Sequence, residues 1–437
     1  MLRHSAILLG PALGLLLAAP PAGKPARKSR VAAAARTTAA QRGGAQKKVD
    51  GWLAASANAV FDQPGALAPF FERLYRTEAG PDRGPVHILH FGDSHTAADQ
   101  WTAGLRDSFQ QRFGNGGSGF SVAGHPFPGY RRVDARGGAS QGWHSEGLRS
   151  ATGDGYFGLG GISISTEHAG QSVFLDTTGE RIEIDYLQHP DGGSVALYDN
   201  GQMLQEFSTD GELAPAWMAF DAPAGDHRFT LKTLDARLVR LFGWVADRSS
   251  GVTYEALGIN GAEAGVMMRW NEAMLATYVQ RRNPGLIVLA YGTNEASDPS
   301  WMPETYQAMF SSLLERLRGD APAASILVIG PGDRWARYRT GWREVPGIDF
   351  VIDAQRAACR EHGCTFWDLR RRIGGPGAMP AWVTAGLGQP DRVHFTAPGY
   401  QRLAAGLFDD LMAQYASYKK ARVEAEPPSH GQPQENH

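Results

Sequence analysis

Five residues far apart in the chain are of the types that acyl transfer requires: Ser94, Gly261, Asn294, Asp391 and His394. Ser94 stands in His90-Phe91-Gly92-Asp93-Ser94-His95-Thr96, where an apolar run gives way to a Gly-Asp turn. A serine becomes a nucleophile when an imidazole takes its proton and a carboxylate orients that imidazole. Asp391-Arg392-Val393-His394 offers both groups at a spacing that a tight turn can close. Attack on a carbonyl develops negative charge, which needs donors aimed at it. A backbone N–H in Gly258-Ile259-Asn260-Gly261-Ala262 and the Asn294 amide in Tyr291-Gly292-Thr293-Asn294-Glu295-Ala296 could supply them. Each residue also has an ordinary structural alternative. Ser94 and Asn294 could cap helices, Gly261 could serve a positive-φ turn, and His394 could be a packed core histidine. Asp93 reads as a turn residue rather than a second acid.

These residues must be brought together by the elements between them. Short apolar runs suited to buried strands occur at 86–91, 286–291 and 325–330, with weaker ones at 254–259 and 364–367. Helical patterns follow or separate them at 98–113, 265–281, 303–317, 349–362 and 398–415. This alternation predicts an α/β fold, a doubly wound parallel sheet with helices on both faces. Ligands bind such sheets at the carboxyl ends of the strands, where Ser94 would lie. One interval breaks the pattern. From 129 to about 247 there is no convincing helix, but seven short strand-like runs separated by turns such as Asp191-Gly192-Gly193 and Asn200-Gly201. Several alternate polar and apolar, as in Arg181-Ile182-Glu183-Ile184-Asp185-Tyr186. That predicts an all-β sandwich inserted between the first and second strands of the α/β unit.

Two glycine motifs are decoys. Gly114-Asn115-Gly116-Gly117-Ser118-Gly119 has the dinucleotide spacing but follows a helix, so no strand–turn–helix cradle for a pyrophosphate forms. Gly138-Ala139-Ser140-Gln141-Gly142 has the nucleophile-elbow spacing without the flanking strand and helix, and reads as loop. The histidines show no metal-ligand spacing, and no metal or cofactor is expected. The eleven tryptophans would suit sugar stacking, although most belong in a core. Cys359 and Cys364 are the only cysteines, and either a disulfide or two free thiols is open to them.

In their order the four blocks resemble those of the SGNH, or GDSL-type, esterases. The serine of Gly-Asp-Ser matches at Ser94, the oxyanion glycine at Gly261, the Gly-x-Asn asparagine at Asn294, and the Asp-x-x-His pair at Asp391 and His394. Phe91-Gly92-Asp93-Ser94-His95-Thr96-Ala97-Ala98-Asp99, Phe113-Gly114-Asn115-Gly116-Gly117 and Tyr291–Ala296 look like the periplasmic peptidoglycan O-acetylesterases. That branch carries a sandwich resembling a carbohydrate-binding module at the place where the insert falls here. His95 departs from the leucine of the GDSL name, a departure the peptidoglycan branch shares. The resemblance implies a flavodoxin-like SGNH hydrolase fold and a carboxylic ester hydrolase that works through an acetyl-enzyme on Ser94, with an acetylated glycan polymer as partner. Two further readings stay open: an acetylesterase of another polysaccharide such as xylan or a polysaccharide O-acetyltransferase, and a glycan-binding scaffold without activity.

Charge and the N-terminus set the location. Residues 1–49 hold nine Lys/Arg and no Asp/Glu, leaving 34 basic against 45 acidic side chains in residues 50–437, a net charge of −11. A body so acidic is a poor nucleic-acid binder, and none is expected as partner. Arg3 and His4 precede the apolar run 6–19, which describes a secretory signal over 1–22, cleaved or kept as an anchor, and a periplasmic protein. Residues 23–49 read as a basic disordered tether whose charge suits weak contact with anionic membrane or wall. The hydrolase domain is expected at 50–128 and 246–420, the insert at 129–245 and a disordered tail at 421–437, in a monomer.

Overall fold

The computed structural model describes residues 37–425 apart from 56–59, 81–83 and 149–152, so the expected leader and most of the tether lie outside it. Its N-terminal part comprises α1 (Ala39–Ala54), β1 (Phe61–Asp62), α2 (Ala68–Ala79), β2 (Val86–Gly92), the single turn α3 (Ser94–Ala97) and α4 (Gln100–Phe113). Next come eleven strands: β3 (Gly117–Val122), β4 (Arg136–Ala139), β5 (His144–Gly147), β6 (Ile162–Thr166), β7 (Ser172–Thr177), β8 (Arg181–Gln188), β9 (Ser194–Asp199), β10 (Gln202–Ser208), β11 (Ala214–Asp221), β12 (His227–Thr233) and β13 (Val239–Asp247). The α/β pattern then resumes with β14 (Val252–Gly258), α5 (Glu272–Arg282), β15 (Leu286–Ala290), α6 (Pro303–Asp320) and β16 (Ser325–Ile329). A hairpin, β17 (Trp335–Tyr338) and β18 (Gly341–Glu344), leads to α7 (Ile348–His362), β19 (Thr365–Trp367), the short α8 (Leu369–Arg372) and α9 (Met379–Thr384), and α10 (Ala397–Ala425).

The central sheet has the order β1-β19-β16-β15-β2-β14, parallel except for the edge strand β1. Continuous apolar strands need cover on both faces. In β15, Ile287 and Leu289 pack with Tyr278, Phe310 and Val351 of α5, α6 and α7. Leu286 and Val288 face the other way, with Phe70, Phe109 and Leu407 of α2, α4 and α10. The doubly wound sheet is as the alternation predicts.

The insert is a sandwich of two antiparallel sheets, β10-β9-β12-β7-β4 and β11-β8-β13-β6-β5, closed over Val173, Leu175, Ile184, Leu197, Phe229, Leu231 and Trp244. In β8 the apolar side of the alternation, Ile182 and Ile184, points into that core. The polar side is buried too, because α5 covers it. Glu183 accepts from Arg281, and the Tyr278 hydroxyl donates to the carbonyls of Tyr186 (3.2 Å) and Ala216 (3.0 Å). Phe157, Leu159, Ile162, Leu187 and Phe242 of the insert share one apolar cluster with Trp270, Tyr278 and Leu289 of the hydrolase.

Several expected boundaries move. The tether cannot run to 49, because Thr38 and Gln41 form a capping box that starts α1. Ala45, Val49, Trp52 and Leu53, spaced i, i+4, i+7, i+8, then pack on the core, a stripe too sparse to raise the segment's composition. The tail expected from 421 does not start there, since α10 runs to Ala425 and Arg422 reaches Glu72 at 3.1 Å; the rest of the expected tail lies outside the described residues. The insert starts before 129 and ends after 245: β3 pairs with β13 from Val122↔Gly243 to Gly117↔Asp247. The helix expected at 265–281 is broken into a 3-10 turn, Ala264–Arg269, and α5, which Asn271 caps. The loop expected at 138–142 begins inside β4, and Ser140 Oγ accepts from the Ser172 N–H at 3.0 Å, a structural link. Cys359 and Cys364 form a disulfide.

Candidate active site

Strand register places the site. Gly92, at the end of β2, is paired with Gly258 of β14 and Ala290 of β15, so all three strands end level. Ser94, Gly261 and Asn294 lie just beyond those ends, on one sheet edge. The approach there is close: a Cβ on Gly92 would stand 2.2 Å from Thr96 Oγ1, and one on Gly258 2.2 Å from the Ala97 nitrogen. Only glycine admits α3 across the strand ends. Asp93, not Ser94, caps that turn, accepting from the His95 N–H at 2.9 Å. Burial pushes the Asp93 carboxyl up to about 6. It is a turn residue, as the sequence suggests.

Ser94 Oγ donates to His394 Nε2 at 2.8 Å, and His394 Nδ1 donates to Asp391 Oδ2 at 2.8 Å. The other Asp391 oxygen accepts from the N–H groups of Val393 (3.0 Å) and His394 (3.1 Å). Arg392, left-handed at φ 57°, closes the turn that makes this possible. Burial alone would raise the Asp391 carboxyl, but the His394 bond and the two backbone bonds outweigh it and hold it at about 2. Thr396 Oγ1 accepts from the Gly399 N–H at 3.3 Å and fixes the start of α10 behind the histidine. His95 lies beside His394, ring centres 5.0 Å apart, with its Nδ1 2.8 Å from the Tyr400 hydroxyl. Burial, with the neighbouring His394, lowers His95 to about 3 and keeps it neutral.

Asn294 stands before the Glu295–Ser297 turn, but its side chain makes no cap bond there. Its Nδ2 donates instead to the Ala262 carbonyl at 2.8 Å, which aims the amide across the second loop. Gly261 takes φ 72°, the conformation that lets its loop turn under the strand ends. Between these loops sits Glu295, fully buried, whose two oxygens accept from the N–H groups of Ala264 (2.8 Å) and Gly292 (2.9 Å). Burial pushes its carboxyl up to about 8. Sequence reasoning missed Glu295 as a bracing residue; its place next to Asn294 was the one available signal.

The arrangement can therefore abstract a serine proton and offer donors to an oxyanion. A cleft of about 530 Å³, lined by Pro85, Arg181 and Asp247, lies at the opposite, amino-terminal end of β2. Among the described residues no group of three or more His, Cys, Asp and Glu side chains is set to hold a metal ion.

Residues 223–402 match the GDSL-like Lipase/Acylhydrolase family. The chain carries a GDSL-like acylhydrolase domain. It is a carboxylic ester hydrolase by that match and by its structural kinship. A solved peptidoglycan O-acetylesterase is 26% identical, with a TM-score of 0.68, over 83% of this chain and 98% of its own. The SGNH-type fold with its inserted β domain is thus shared over nearly the whole of that enzyme. A family two carbohydrate esterase from Clostridium thermocellum, in complex with cellohexaose, is 12% identical with a TM-score of 0.30, over 59% of this chain and 95% of its own. Its counterpart from Cellvibrio japonicus is 11% identical with a TM-score of 0.27, over 64% and 98%. These two lie too far away for their chemistry to bear on this chain. No curated protein matches the sequence significantly.

Proposed function

We propose that the protein is an exported serine esterase that removes O-acetyl groups from a bacterial cell-wall glycan. The observation that carries this is the Ser94–His394–Asp391 relay, two hydrogen bonds of 2.8 Å at the shared strand ends. His394 Nε2 takes the Ser94 proton as Oγ attacks the acetyl carbonyl. The backbone N–H groups of Ser94 and Gly261 and the Asn294 amide hold the resulting oxyanion. Collapse breaks the bond to the sugar oxygen, which takes the proton from His394 and leaves as a hydroxyl, while the acetyl group stays on Ser94. Water, deprotonated by His394, then attacks that ester, and acetate departs.

The substrate class draws its support from the 26% identical peptidoglycan O-acetylesterase, which spans both the hydrolase and the insert. The basic, apolar N-terminus supports export to the periplasm, and the Cys359–Cys364 disulfide suits an oxidising compartment. No helix among the described residues is long and apolar enough to cross a membrane. The test is Ser94→Ala, assayed for acetate release from an activated acetyl ester and from O-acetylated peptidoglycan. Loss of both with an unchanged melting temperature is expected. Wild-type rates in the variant would end the proposal.

A further inference from the structure

Between β16 and α7, at the ligand-binding edge of the sheet, the chain makes the hairpin β17–β18. Its base touches both halves of the site. Arg334 donates to the carbonyl of Thr293, the residue before Asn294. The Trp335 N–H donates to the carbonyl of Arg392, inside the Asp391–His394 turn, at 3.1 Å. Arg392 lies over the rings of Trp335 (5.4 Å) and Trp342 (4.7 Å), a cation–π contact that clamps the hairpin to that turn. The hairpin is therefore tied to the two loops that carry Asn294 and His394.

The hairpin is basic on both faces. Arg337 shares the face of Trp335 and Trp342, Arg343 lies on the other face opposite Ala336, and Arg339 sits in the tip turn between them. All three are exposed, within seven residues of a chain whose residues 50–437 carry a net charge of −11. Among the described residues none of the three guanidinium groups has an ion-pair or hydrogen-bond partner. Carboxylates on and beside the hairpin are engaged elsewhere: Glu344 with Arg370, Asp391 with His394, and Asp333 with the Met379 N–H and the Trp335 indole. Tyr338, 46% exposed, adds an aromatic face at the tip. Guanidinium groups with an aromatic neighbour suit a carboxylate-bearing sugar polymer, through paired N–H donors and ring stacking.

We propose that the β17–β18 hairpin is an anion clamp, in which Arg337, Arg339 and Arg343 bind carboxylates of the glycan whose acetyl group sits at Ser94. This rests on the wall-glycan reading above and sharpens it: the substrate is an acidic acetylated polymer, not a neutral one. Such a clamp aligns a long chain and does nothing for a small ester, which is too short to reach it.

The test compares the wild type with Arg337→Glu/Arg339→Glu/Arg343→Glu and with the corresponding triple lysine variant, all checked by melting temperature. The readout is kcat/KM on O-acetylated peptidoglycan divided by kcat/KM on a small acetyl ester. The glutamate variant should lower this ratio at least tenfold, through KM, while the lysine variant keeps most of it. Added salt should weaken the wild type on the polymer, since exposed charges are screened. An unchanged ratio in the glutamate variant overturns the clamp, as does an equal loss on O-acetylated xylan stripped of uronic acid, which is neutral. An unchanged ratio with lost binding to phosphatidylglycerol vesicles would assign the arginines to a membrane and overturn it too. A wild type that splits the small ester but releases nothing from peptidoglycan would instead refute the wall-glycan reading itself.

Discussion

Asn294 donates its amide to the carbonyl of Ala262 at 2.8 Å, and so joins the loop after β15 to the loop after β14. A primary amide has two hydrogens. One is held by Ala262, and the other remains for the oxyanion. Asn294→Ala should therefore cost about 10²–10³ in kcat with KM little changed. The lost bond to Ala262 should cost about 1 kcal/mol of stability. Turnover and melting temperature measured on the same variant check this. A clear drop in melting with at most a twofold loss in turnover would remove Asn294 from the site.

Asp391 fixes which nitrogen of His394 carries the proton. Asp391→Asn presents an amide to Nδ1 and favours the tautomer whose Nε2 cannot accept from Ser94. The expected loss in kcat is on the order of 10⁴, with KM retained. Steady-state acetate release at neutral pH measures it. A loss below tenfold would mean that the carboxylate neither orients nor stabilises the imidazole.

Glu295 predicts an alkaline weakness. Its folded carboxyl titrates at about 8 against an ordinary value of 4.5, so between these the folded chain binds the extra proton. Stability from this group is then full at low pH and is lost as pH rises through about 8. Asp93, raised to about 6, acts with the same sign. Glu295→Gln should reduce the fall in melting temperature from about pH 5 to 8 without abolishing it, because Asp93 remains. It should also cost about 1 kcal/mol, since one acceptor oxygen becomes a donor facing an N–H. Identical melting profiles in the two proteins would contradict a protonated Glu295.

Removal of the insert tests how it is joined. Excision of 129–245 would strip Phe157, Leu159, Ile162, Leu187 and Phe242 from the cluster around Tyr278 and Trp270. Each such side chain contributes about 1.5–3 kcal/mol, and their sum approaches the whole stability of a domain, about 5–15 kcal/mol. The deletion should be insoluble or inactive on small esters and polymer alike. A folded deletion variant with normal small-ester turnover would show that the shared cluster is dispensable.

The central sheet was legible because parallel strands buried on both faces leave unbroken apolar runs, as in Leu286–Ala290. The candidate site residues stood out for a related reason: Ser94, Gly261 and Asn294 follow the ends of strands, Asp391 and His394 precede α10, and the proposed reaction tolerates few residue types there. The β3 strand was not legible: Gly117-Ser118-Gly119-Phe120-Ser121-Val122 is two-thirds glycine and serine, and pairing with β13 makes it a strand. Helix α1 hid in a segment rich in Ala, Gly, Gln and Lys, since four side chains against the core suffice to hold it.

Local sequence by itself thus determined the fold class and named the candidate residues in their order, because backbone periodicity and reactive side-chain types are written over short stretches. Tertiary structure alone decided whether Ser94 and Asn294 cap helices or face the site, and showed that they do not cap. It alone turned the polar face of β8 inward against α5, set Glu295 between two loops, and anchored the β17–β18 hairpin to the Arg392 turn. Each of these depends on a partner far away in the chain, and a hydrogen bond between distant residues leaves no periodic trace in either segment.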